Sequence, residues 1–120
     1  LLKEYVGDLV QEAYDVRVER LDACLKQRQL RTVSLIKIDT EGYEFPVLLG
    51  LESFLNSTDR RPIIIAEISP NSFPMTGHRI EEFADYARRY GYEIYAVCGC
   101  HKIEITKAEK QTNVVLRPRK

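Results

Sequence analysis

The chain has 120 residues, 44% of them hydrophobic, enough for one domain with a real core and too apolar for a disordered chain. Its 18 basic and 18 acidic side chains balance, so no global field draws it to nucleic acid or to an anionic membrane. No apolar run approaches the ~20 residues of a membrane span, and three cysteines (Cys24, Cys98 and Cys100) suit a reducing cytoplasm better than a disulfide framework.

The sequence begins Leu1-Leu2-Lys3 without Met, which predicts a fragment or a processed form. Leu2, Val6, Leu9, Val10 and Ala13 recur at helical spacing, so residues 2–13 read as a helix despite Gly7. Residues 15–20 alternate apolar and charged side chains, as a half-buried edge strand does. Residues 21–30 read as a short helix with Leu21 and Leu25 facing inward, and Arg31-Thr32 as a turn into the next strand.

Residues 33–38 form a short apolar run interrupted by Ser34 and Lys37, the pattern of a strand buried on both faces. It stops at Asp39, and Thr40, Glu41, Gly42 and Glu44 follow before a helical pattern starts at Phe45. Ligands of open α/β sheets bind outside the carboxyl ends of the strands, so Asp39, Glu41 and Glu44 are expected at such an edge. The structural alternative is that Asp39 or Thr40 caps the helix while the glutamates complement its dipole. Gly42 costs about 1 kcal/mol relative to Ala inside a helix start and argues for a close backbone approach instead.

From Phe45 to Leu55 the chain reads as one strongly apolar helix, with Pro46 in its first turn, where proline is tolerated. Residues 56–61 are a polar loop, and Pro62 opens a second apolar strand over residues 63–68, which carries Glu67. Residues 69–77 form a long loop, of the kind that is often functional. Residues 78–90 form an amphipathic helix with Ile80, Phe83, Ala84, Ala87 and Tyr90 on one face, ended by Gly91. Residues 92–97 are a strand, 99–111 a polar hairpin or flap, and 113–117 the last strand. This order predicts an α/β fold: parallel strands flanked by helices, with a C-terminal antiparallel hairpin closing the sheet.

The stretch Leu35-Ile36-Lys37-Ile38-Asp39-Thr40-Glu41-Gly42-Tyr43-Glu44, with Leu48, Gly50 and Leu51 after it, resembles the central motif of the FkbM-type methyltransferases. Leu21-Asp22, the strand with Ile65, Glu67 and Ile68, the run 91–95 and Asn113-Val114 extend the resemblance from about Val16 to Leu116. It implies a Rossmann-like sheet and methyl transfer from S-adenosylmethionine to a hydroxyl of a sugar or natural product. Family members carry a glycine-rich turn after their first strand, against the cofactor, and an acid after the second that binds its ribose. This sequence has no Gly-x-Gly-type turn. It therefore resembles the C-terminal half of such an enzyme: one domain, residues 1–120, with a partial methyltransferase sheet and expected to be inactive alone.

On this resemblance Lys37 and Asp39 are the cofactor-contact candidates, and Asp39, Glu41 and Glu67 the catalytic ones. Three converging carboxylates could hold a divalent cation that orients and acidifies an acceptor hydroxyl; without metal, one could serve as a general base. Against this stands a plain ion pair of Glu67 with Lys37 or an arginine, Lys37 itself needing an acidic partner. His78 reads as a solvated residue near a helix start. Cys98-Gly99-Cys100-His101 lacks the usual zinc-ligand spacing and a second pair, so no metal is assigned. Tyr86, Tyr90, Tyr92 and Tyr95 read as packing residues. The expected partner is a small hydroxyl acceptor, with homodimer formation through an exposed sheet edge. Two other readings are a non-catalytic remnant or assembly module needing a partner chain, and a metal-dependent hydrolase without a recognised nucleophile.

Overall fold

The computed structural model describes residues 14–98 and 101–119, so the helix expected over 2–13 and the pair Gly99-Cys100 lie outside the described residues. Helix α1 spans Leu21–Gln27, strand β1 Leu35–Ile38, α2 Glu44–Leu49, α3 Glu52–Ser57 and β2 Ile63–Ile68. Then follow α4 Ser72–Met75, α5 Ile80–Arg89, β3 Tyr92–Ala96, a 3-10 turn Ile105–Lys107 and β4 Thr112–Pro118. None of the helices among the described residues is long and apolar enough to cross a membrane.

The four strands form one mixed sheet in the order β1-β2-β4-β3. Strands β1 and β2 are parallel, and β4 is antiparallel to both β2 and β3, so β1, β2 and β3 share a direction. The expected antiparallel hairpin is present, but β4 lies between β2 and β3 rather than beyond them. The long connection between β3 and β4 lets the chain cross back and add the last strand inside the sheet. The outer edge of β3 is covered by residues 101–103: Ala96 N–H donates to the His101 carbonyl at 2.9 Å and Ile103 N–H to the Ile94 carbonyl at 3.0 Å. The outer edge of β1 has no strand beside it among the described residues.

Alternation decides which side is core. Ile38, Ile64, Ala66, Ile68, Val114, Leu116, Tyr92 and Ile94 are buried, whereas Leu35, Lys37, Ile63, Ile65, Glu67, Val115 and Tyr95 on the other face are half-buried or exposed. Strand β1 is thus buried on one face only, with Leu35 54% exposed. The core is completed by Leu48 of α2, Leu51 between the helices and Leu55 of α3, and by Phe83, Tyr86, Ala87 and Tyr90. Of the four tyrosines read as packing, Tyr95 stands outside the core, on the open face, with the Arg117 guanidinium 4.9 Å from its ring centre.

The single helix expected from Phe45 to Leu55 is broken at Gly50-Leu51. The N-terminus of α1 presses on that point: a Cβ on Gly50 would lie 3.5 Å from Leu21 N, and Asp22 N–H donates to the Gly50 carbonyl at 2.8 Å. Residues 15–20 form no strand, and Val16 and Val18 are exposed, because no neighbouring strand takes up their backbone groups. The loop after β2 contains α4, and Gly91 ends α5 in the left-handed conformation, φ 69°, as expected.

Candidate functional site

Strand β1 delivers its last core side chain, Ile38, and releases the chain at Asp39. The next turn is tight: Glu41 has φ 51° and Gly42 φ 100°. Successive left-handed residues reverse the backbone, and the second position is one that glycine fills without steric cost. Helix α2 then starts at Glu44 with Tyr43 as its N-cap and no side-chain cap. Neither Asp39 nor Thr40 caps the helix, which removes the structural alternative for both.

What anchors this helix start is Phe45. Its ring is 5.8 Å from Phe73, 6.1 Å from Phe83 and 6.0 Å from Tyr86, the last two edge-on. The cluster ties α2 to α4 and α5 just below the carboxyl ends of the strands. The loop 39–43 therefore hangs between two fixed points, Ile38 and Phe45.

The exposed side chains of Asp39 and Glu41 meet the half-buried Glu67 of β2. One carboxylate oxygen from each lies within 4.8 Å of the others. The parallel register explains this, since Ile38 pairs with Ala66 and the next step up each strand is Asp39 and Glu67. Lys37 forms a close ion pair with Asp39 and not with Glu67. Glu67 has no basic partner among the described residues, contrary to the ion-pair alternative. Three acids against one lysine leave the edge net negative. Such a group can bind a cation through oxygen ligands, or take a proton from a hydroxyl placed against it.

Glu44 does not stand at that edge with the others. It is 3% exposed, turned into the protein, and its carboxylate accepts from Thr40 N–H at 2.8 Å and from Gly42 N–H at 3.1 Å. The sequence signals an acid near a strand end and says nothing of its direction. His78 does not join the acids either. Its ring packs edge-on against Phe45 at 5.1 Å, and its Nδ1 is 3.7 Å from Glu82. Cys98 is exposed and forms no disulfide, while Cys100 lies outside the described residues.

A larger groove, about 1240 Å³, runs between α1 and α3 and is lined by Asp22, Lys26, Arg31 and Arg60 among others. It lies where the chain enters β1 and β2, at the amino ends of these strands, whereas ligands of open α/β sheets gather at the carboxyl ends. Within it, the Arg20 guanidinium donates to Asp22 at 3.1 and 2.9 Å and pulls that carboxyl down to about 2, against the cost of its partial burial. Burial pushes the Tyr92 hydroxyl, which donates to the Pro62 carbonyl at 2.9 Å, up to about 12.

A family model described as the methyltransferase FkbM domain matches residues 4–94. The AMB antimetabolite synthetase AmbE of Pseudomonas aeruginosa is 32% identical over 83 residues, which cover 69% of this chain and 4% of that protein. The chain thus spans a small fraction of the curated relative it matches. No solved structure matches it.

Proposed function

Because this chain belongs to the FkbM methyltransferase family, we propose that it forms the acceptor-side half of an S-adenosylmethionine-dependent methyltransferase that alkylates a hydroxyl of a sugar or natural product. The observation that carries this reading is the convergence of Asp39, Glu41 and Glu67 within 4.8 Å at the carboxyl ends of β1 and β2. Alkylation of a hydroxyl oxygen releases its proton. Glu67 has no competing cation among the described residues and is the base of choice. Asp39 and Glu41 accept from neighbouring hydroxyls of the acceptor and so hold it against Glu67, and the Lys37 ion pair orients Asp39.

The described residues do not cradle the cofactor by themselves. Gly42, the glycine of the turn after β1, has its N–H engaged by Glu44, so it offers no donor to a ligand. A Gly-x-Gly-type turn occurs nowhere in the sequence. Lys37 and Asp39 supply contacts on one flank only, and the outer edge of β1, without a neighbouring strand among the described residues, is the place where the sheet would continue into a cofactor-binding half. In this reading the chain alone is a methyltransferase domain without turnover, and the catalytic assembly that it forms with that second half works in the cytoplasm on a small acceptor.

The test is calorimetry of S-adenosylmethionine against the purified chain. Dissociation constants weaker than millimolar, or no heat at all, are expected. A micromolar constant would show a complete cofactor site within these 120 residues and overturn the half-domain reading.

A further inference from the structure

The acids at the end of β1 and β2 repel one another, and something must hold them together. Both exposed residues, Asp39 and Glu41, sit on a loop that carries no side chain into the core. The strand register fixes Asp39 beside Glu67, but left to itself the loop would relax and carry Glu41 away.

Glu44 is the group that prevents this. Its Oε1 accepts from Thr40 N–H at 2.8 Å, from the Thr40 hydroxyl at 3.2 Å and from Gly42 N–H at 3.2 Å, and its Oε2 accepts from Gly42 N–H at 3.1 Å. These partners all lie before the helix that Glu44 begins, so the carboxylate reaches back to the loop rather than inward to its own helix amides. A buried carboxylate bound by two backbone N–H groups and a hydroxyl is a strong anchor, because hydrogen bonds to an ionised acceptor exceed neutral ones. With the N–H groups of residues 40 and 42 turned inward, the side chains of residues 39 and 41 are left facing outward.

We infer that Glu44 is the positioning residue of this edge: its buried carboxylate holds residues 40–42 in the left-handed turn that brings Glu41 up to Asp39 and Glu67, which the strand register already sets side by side. The inference rests on reading this edge as the reacting one. Its test reads geometry without turnover, so the two can fail separately.

The experiment is a double-mutant cycle in melting temperature between Glu44→Gln and Glu67→Gln, in low salt and in 1 M salt. The glutamine keeps the shape of Glu44 but sets an NH2 donor against an N–H donor. In the wild-type background E67Q relieves repulsion and raises the midpoint by about 3–5 °C in low salt, an increment that 1 M salt removes. In the E44Q background the turn opens and Glu41 moves away, Lys37 offsets the repulsion that Asp39 still exerts, and the low-salt increment falls below about 1 °C. A Glu44 that only stabilises the fold lowers every midpoint and leaves the increment untouched, which overturns the inference. Absence of any salt-dependent increment in the wild-type background overturns it too, because the acids are then not held together. Should E44Q fail to fold, hydrogen exchange of the unaltered chain decides. The Thr40 and Gly42 amides are expected to exchange as slowly as those of β2, and exchange at the rate of an open loop refutes the clamp.

Discussion

Neutralising Glu67 should stabilise the protein. Its carboxylate lies within 4.8 Å of two others, and it has no cation of its own among the described residues. Two unit charges at that distance repel by about 1 kcal/mol in bulk water and about 3.5 kcal/mol in the effective medium of a protein surface. The exposure of Asp39 and Glu41 puts the value near the first figure. Lys37, already bound to Asp39, also attracts Glu67 and cancels roughly one of its two repulsions. Glu67→Gln should therefore gain about 1 kcal/mol, or about 3–5 °C in midpoint for a domain of this size. Urea unfolding at about 10 mM and about 1 M salt measures it, because the screening length falls from about 30 Å to about 3 Å between them. The gain should be present in the first and absent in the second. A loss of about 1 kcal/mol at both salts would show that Glu67 makes a favourable ion pair or hydrogen bond, and the crowding argument would fail.

Asp22→Asn should flatten the acid limb of the stability curve. The folded carboxyl is held near 2, mainly by Arg20, below its usual 3.8. The stabilisation is therefore full above about pH 4 and lost as pH falls toward 2; with the exposed Arg20 partner discounted, it is roughly 1 kcal/mol. Denaturation of both proteins from pH 7 to pH 2 checks this, and parallel curves would refute it. Removing the Tyr86 hydroxyl, which donates to the Leu48 carbonyl at 2.6 Å, should cost only about 1 kcal/mol, because Leu51 N–H still satisfies that carbonyl. A loss above about 3 kcal/mol in Tyr86→Phe would contradict that accounting. The outer edge of β1, which has no strand beside it among the described residues, should make the isolated chain self-associate, since an open strand edge offers its amides and carbonyls to another chain. Light scattering over a concentration series tests it, and a strict monomer with fast-exchanging Leu35–Ile38 amides would refute it.

The elements that hydrophobic period alone determines were readable. The isoleucine run of β2 and the 3.6-residue stripe of α5 appear within a residue or two of their expected bounds. What escaped depends on tertiary placement. Strand order is not encoded in spacing, so β4 reads as a closing hairpin when it is inserted between β2 and β3. The break at Gly50 falls where Asp22 N–H of α1 donates to the Gly50 carbonyl, a contact with no local signal. Val16 and Val18 alternate like a strand but find no partner strand, and alternation without pairing makes none. At the site, Asp39, Glu41 and Glu67 could be named because each ends or follows a strand. Glu44 reads as a fourth acid of the edge. Two left-handed residues in a row turn it inward, and no residue pattern announces that turn.

The most direct test of this account is methyl transfer itself. In a polypeptide that joins this domain to a glycine-rich cofactor turn, transfer of labelled methyl from S-adenosylmethionine to a panel of hydroxyl-bearing sugars would be followed for the wild type, Asp39→Asn and Glu41→Gln. Both variants keep shape and hydrogen-bonding capacity while removing charge. The account predicts a fall in turnover of about 100-fold in each, the cost of a misplaced acceptor, with melting temperatures equal to or above wild type. Full activity in both variants, or unfolding of both, would contradict it.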